Sequence, residues 1–123
     1  MADVTHLRIL KQGVPTWNHW RTEHPDAEPD LIRADLRAQT LGGMDLCGVN
    51  LRGAILRGAI FWGSDLRGAD LRNADLTEAN LGEANLGGAN LSGANLRWSN
   101  CRGANLYRTN LTGATLPDGS KPE

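Results

Sequence analysis

Histidines, cysteines, aspartates and serines are the residues of this chain that could do chemistry, and their spacing argues against most of it. His6, His19 and His24 all fall near the start, and none stands at a ligand spacing from a cysteine or an acid. A zinc site is built from such spacings, so these histidines are expected at the surface, with no metal or cofactor. Asp30, Asp35, Asp45, Asp65, Asp70 and Asp75 recur at multiples of five residues. A general acid and its base need two different environments to separate their pKa values, whereas carboxylates at one repeated position share one structural duty. Ser64, Ser92 and Ser99 have no base beside them to activate a hydroxyl. Cys47 is expected to face outward, where a thiol can react, and Cys101 to face inward as a small apolar residue. Gly-rich runs such as LGGAN precede no strand-to-helix switch, so they do not read as a phosphate cradle. No enzyme is expected.

The composition narrows the classes further. Thirteen basic and fourteen acidic side chains leave a formal charge of −1, so no global field draws the protein to nucleic acid or to anionic lipid. No window holds enough apolar residues to span a bilayer, and MADVTHLRIL lacks the pattern of a secretory signal. Two cysteines without a metal spacing fit a reducing compartment, so a cytoplasmic protein is the expectation. Aromatics make up 5% of the chain and there are 15 glycines, too few large side chains for an ordinary globular core.

The elements that position these residues follow from a repeat. In ADLTEANLGEANLGGANLSGANL, residues 74 to 96, leucine returns every fifth residue. The same step from Leu31 meets Leu36, Leu41, Leu46, Leu51, Leu56, Phe61, Leu66, Leu71, Leu76, Leu81, Leu86, Leu91, Leu96, Cys101, Leu106, Leu111 and Leu116, eighteen centres without a slip. Ala usually stands two places before a centre, and Asp or Asn immediately before it in fourteen repeats. On an α-helix a step of five turns the side chain about 140° past a full turn, which scatters the leucines. On a straight strand alternate leucines face opposite ways. A corner in every pentapeptide keeps both Ala and Leu inward. Gly two places after the centre and Asp or Asn before it are the residues a tight corner needs.

This A(D/N)LXX pattern over residues 30 to 116, about seven-tenths of the chain, resembles the pentapeptide repeat family. The resemblance implies an all-β solenoid: a right-handed, quadrilateral parallel β-helix with four pentapeptides per coil. Eighteen repeats then make about four and a half coils, a shaft on the order of 20 Å long at the spacing of β layers. Repeats of this kind share their stability with their neighbours.

The two ends differ from the shaft. Residues 1 to 29 are read as a helical cap and lead-in: a helix over residues 3 to 12 ending at Gly13, then a short helix opened by Pro15 or Thr16. Leu7, Leu10, Trp17 and Trp20 would cover the exposed first coil, which a solenoid must hide. Residues 117 to 123, PDGSKPE, are a polar tail expected to fray. With no comparable cap there, the last coil is expected to be buried by a second copy, giving a homodimer through the C-terminal end, or by the tail folding back.

Function is sought on the outer faces. Twenty-residue spacing stacks Ile32, Arg52, Arg72, Ser92 and Thr112 in one column and Arg37, Arg57, Thr77 and Arg97 in another. Arg52, Arg72 and Arg57 either pair with neighbouring acids or grip an anionic partner. Trp62, Trp98 and Tyr107, beside small residues, are either binding anchors or cover for the coil beneath them. Gly82 is expected to point outward and to tolerate Ser. The leading reading is a non-enzymatic structural scaffold or protein–protein interaction module for an unknown protein partner. The family suggests an alternative, mimicry of DNA that modulates DNA gyrase and protects it from quinolones. Mimicry needs acidic faces, and residues 30 to 116 carry nine arginines against eight acids.

Overall fold

A chain that bends every five residues must point inward again after each corner, and the backbone shows how this one does so. The computed structural model describes residues 1–122. Within a repeat, the carbonyl of the centre accepts a bond from the amide three residues on, as in Ala34 to Leu31 (3.1 Å) and Ala69 to Leu66 (3.0 Å). The third residue of this turn is left-handed, as a type II turn requires. Glycine supplies it at ten corners, for example Gly68 with φ 66°. Arg33, Ala38, Asn73, Glu78, Glu83, Trp98 and Arg108 adopt it without being glycine, at a cost of about 1–2 kcal/mol each. The other half of the corner is closed by the residue before the centre. In all fourteen repeats with Asp or Asn there, its Oδ1 accepts the amide two residues on.

Successive coils then stack. Each residue before a centre pairs in parallel with its counterpart twenty positions on, from Asp30 with Asn50 to Asn95 with Thr115. Four pentapeptides therefore close one coil, with side 1 centred on Leu31, side 2 on Leu36, side 3 on Leu41 and side 4 on Leu46. The bonds are short: Leu31 N–H to Asn50 C=O is 2.8 Å, and Asn50 N–H to Pro29 C=O is 3.0 Å. The expected β-helix needs one correction. Among the described residues the pairing is a ladder of isolated bridges, not of strands. The turn occupies the two residues after every centre, which leaves too little extended chain for a longer strand.

The centres from Leu31 to Leu96, Phe61 included, are buried, as are the alanines two places before them from Ala54 to Ala94 and, among them, Ser64. Full burial of a leucine is worth about 1.5–3 kcal/mol. Three expected core residues depart from this. Cys101 and Leu111 are only partly buried, and Leu106 is 42% exposed. Each is the last centre on its side among the described residues, Cys101 on side 3, Leu106 on side 4 and Leu111 on side 1, so its side chain has a layer on one side only. Through its described residues, up to 122, the tail is tied back, not frayed: Leu116 N–H bonds Ser120 C=O and Lys121 Nζ bonds Thr115 Oγ1, both at 2.8 Å.

The first coil is covered by α1 (Val4–Lys11) and α2 (Val14–Glu23). Asp3 caps α1, its Oδ1 accepting from Thr5 and His6 N–H, and Pro15 stands in the first turn of α2, where its missing N–H costs nothing. The second helix is longer than the short helix expected from Pro15 or Thr16. Leu10 and Trp17 are buried, while Leu7 and Trp20 are partly so. The cap also completes the ladder. Asp30 N–H donates to His6 Nδ1 (3.0 Å), and Asp3 N–H donates to Asp30 C=O (2.9 Å). On side 4, Asp45 N–H donates to Asn18 Oδ1 (2.7 Å) and Asp45 C=O accepts from Trp17 Nε1 (2.6 Å). Asn18 Nδ2 donates to Gly43 C=O and Arg21 to Cys47 C=O. Side-chain amide, indole and guanidinium thus stand in for a missing coil, which removes the cost of an open edge.

Leu81→Ala, mid-shaft, is expected to cost about 2–5 kcal/mol, and Leu106→Ala less than about 1 kcal/mol. Urea unfolding of the two variants checks this; equal costs would contradict the inward packing described.

Candidate interaction surface

The six residues expected to form an interaction surface separate into three groups. Trp62 is 53% exposed but lies on the coil that follows it: a Cβ built on Gly82 would stand 2.5 Å from its Cε3 and Cζ3. Gly82 is accordingly buried, which corrects the expectation that it is a tolerant outward position. The glycine is there because the indole needs the space.

Two of the three arginines are engaged. Arg72 chelates Asp70, Nε to Oδ1 at 2.9 Å and Nη2 to Oδ2 at 2.7 Å. Arg37 on Asp35 and Arg67 on Asp65 repeat this geometry. Each arginine sits two residues after its aspartate, where the Asx turn has already oriented the carboxylate. The hydrogen bonds from these guanidiniums hold Asp35, Asp65 and Asp70 below the usual carboxylate range. Arg57 reaches to the next coil and bonds Glu78 at 3.0 Å. Arg52 follows Asn50, not Asp, and forms no ion pair among the described residues.

Trp98 and Tyr107 stand 61% and 68% exposed. Each carries a guanidinium over its ring, Arg97 at 4.8 Å from the Trp98 centroid and Arg108 at 5.3 Å from that of Tyr107, a cation–π arrangement. Neither Arg97, Arg102 nor Arg108 has a carboxylate within ion-pair distance among the described residues. These three were not singled out from the sequence. The signal was present: residues 84 to 117 contain these three arginines and no acid, whereas residues 30 to 83 hold six arginines and eight acids.

The titratable residues of the cap serve structure. His6 accepts the Asp30 amide, His19 lies 3.1 Å from Glu23, and His24 stacks on Trp20 at 5.1 Å between centroids. Cys47 is half-buried, with its carbonyl bound by Arg21. No group of three or more His, Cys, Asp or Glu among the described residues is placed to hold a metal ion, and no described helix is long and apolar enough to cross a membrane.

A solenoid of pentapeptide coils closed by Asx turns defines a class of protein, and the comparisons agree. The chain belongs to the pentapeptide repeat family: the model of pentapeptide repeats matches residues 30–68, 61–93 and 89–118. Among solved structures it is similar to HetL of the cyanobacterium Nostoc sp. strain PCC 7120, a pentapeptide repeat protein involved in heterocyst differentiation regulation. That likeness has 37% identity over 72% of this chain and a TM-score of 0.53, and the chain spans 43% of HetL. Rfr23 of the cyanobacterium Cyanothece 51142 is 35% identical over 80% of this chain and 67% of its own, with a TM-score of 0.42. QnrB1, a plasmid-mediated fluoroquinolone resistance protein, is 19% identical over 68% of this chain and 51% of its own, with a TM-score of 0.39. No curated protein matches the chain.

The contact between Trp62 and Gly82 yields a double-mutant cycle. Gly82→Ser is expected to cost about 1 kcal/mol or more by displacing the indole, and close to nothing in a Trp62→Ala background. Thermal unfolding of the four proteins measures the coupling; an equal cost in both backgrounds would mean that Trp62 does not cover Gly82.

Proposed function

We propose that this protein is a non-enzymatic scaffold that binds a protein partner through the outer faces of its shaft. The observation that carries this reading is the pair Trp98 and Tyr107, exposed aromatics each backed by an arginine with no carboxylate of its own. Trp, Tyr and Arg are the residues that dominate interface energies. The shaft supplies rigidity, because every coil is bonded to the next. The right-handed sense of the winding belongs to this reading and is supported by the family. A reducing cytoplasm as the compartment is supported by two unpaired cysteines, Cys47 and Cys101.

Modulation of DNA gyrase has less support. Four of the eight shaft acids, Asp35, Asp65, Asp70 and Glu78, are taken up by arginines, which leaves no continuous anionic strip to imitate a duplex. A second copy docked on the open last coil is an accessory reading, favoured by the exposed Leu106.

The test is capture of a partner from the native lysate, with the site of contact mapped by cross-linking. The wild type is expected to retain a protein that cross-links beside Trp98 or Tyr107, and Trp98→Ala with Tyr107→Ala to lose it. Retention of the same protein by the double variant would contradict the reading.

A further inference from the structure

We propose that the perimeter of the fourth coil, built from Arg97, Trp98, Arg102, Tyr107 and Arg108, is a docking surface for an extended acidic segment of a partner protein. The proposal rests on the scaffold reading above and adds the chemistry of the partner. Its origin is a single atom change in the repeat. Where the residue before the centre is Asp, the arginine two places on is neutralised within its own corner, as in Asp65-Leu66-Arg67 and Asp70-Leu71-Arg72. Where it is Asn, the turn still closes through Oδ1, but no carboxylate is offered. Asn95-Leu96-Arg97 and Asn100-Cys101-Arg102 are of this second kind, so the corner is built without an ion pair of its own. Arg97 lies over Gly119, near enough to Asp118 to add to the lowering of its pKa by the Ser120 hydrogen bonds, and the Glu83 carboxylate lies over Gly103 beside Arg102. In sides 3 and 4 the asparagines pair with each other instead, Asn100 with Asn80 and Asn105 with Asn85.

These cations, none in an ion pair among the described residues, occupy successive corners. The turns at 97–98, 102–103 and 107–108 follow one another around one coil, so an extended chain laid along that girth meets a guanidinium at each corner. Arg97 and Arg108 rest on Trp98 and Tyr107, which fixes the planar fork in place. A guanidinium so held binds a carboxylate in a bidentate fashion. Trp98 and Arg108 hold left-handed backbone, as do five other corners without glycine. Three cations are few for a nucleic acid, whose affinity grows with the number of phosphates neutralised. A basic perimeter facing a second copy's basic perimeter would repel it.

Titration of the intact chain with a synthetic glutamate-rich peptide, followed by tryptophan fluorescence and NMR shifts, tests the proposal. Saturable binding is expected, with shifts at Trp98, Arg102 and Tyr107 and an affinity that falls as salt is added. The triple variant Arg97→Gln, Arg102→Gln, Arg108→Gln is expected to lose at least about tenfold in affinity, while the triple Lys variant keeps salt-dependent binding and Arg72→Gln behaves as wild type. Three results overturn it: no binding of the peptide, tighter binding of a single-stranded oligonucleotide of equal charge, or shifts that follow protein concentration alone. If a cross-linked lysate partner survives in the triple Gln variant, this inference fails while the scaffold reading stands. If no partner contacts the shaft of the wild type, the scaffold reading itself fails.

Discussion

The structure depends on one corner, in which the third residue of the turn is left-handed and an Asp or Asn side chain ties the preceding backbone down. Without the positive φ at positions such as Gly68 or Ala38, the next inward residue would emerge on the wrong face, because a step of three along an extended chain reverses it. The Asx bond fixes the approach to that turn in fourteen repeats. Everything larger follows from repeating this unit at constant length. Four corners close a coil, each coil's amides meet carbonyls nineteen positions on, and the inward side chains form a column of leucines spaced by alanines. Seven corners keep the conformation without glycine, so the coil above and below must hold them against an unfavourable backbone preference.

The same position governs the surface. Asp and Asn are equivalent to the turn, since only Oδ1 is used, yet they differ to the solvent. Asp binds its own arginine and quenches it; Asn builds a ladder with the next asparagine or leaves the arginine unpaired. The chain uses Asp mainly in its first three coils and Asn from Asn80 onward. Charge is thereby sorted along the axis while the core hardly changes. The folding code and the surface code share a residue but read different atoms of it.

Much of this was legible in the sequence because the period admits so few shapes. Leucine at every fifth residue fixed inward and outward positions, and Trp17 stood out as an apolar residue with no place in the repeat. Other features escaped because they are three-dimensional. That Trp17 Nε1, Asn18 and His6 complete the ladder of the first coil depends on how α1 and α2 dock, which no pattern states. The twenty-residue spacing put Gly82 beside Trp62, but did not show that the indole folds down onto it and fills the space a side chain would need. Leu106 looked like any other centre, and only the missing layer beside it sets it apart. Arg97, Arg102 and Arg108 were visible as charges, but that they lack the ion pairs of the other corners became clear only once the partners of the other arginines had been found.

The most direct measurement compares two opposite substitutions at the third turn position by calorimetry. Ala38→Gly relieves a left-handed alanine (φ 58°), and Gly68→Ala imposes one where the added methyl meets nothing within 4 Å. Opposite signs are expected, with Ala38→Gly stabilising and Gly68→Ala destabilising by about 1 kcal/mol each. Changes of the same sign, or none in either protein, would contradict the claim that a left-handed corner in every repeat holds the solenoid together.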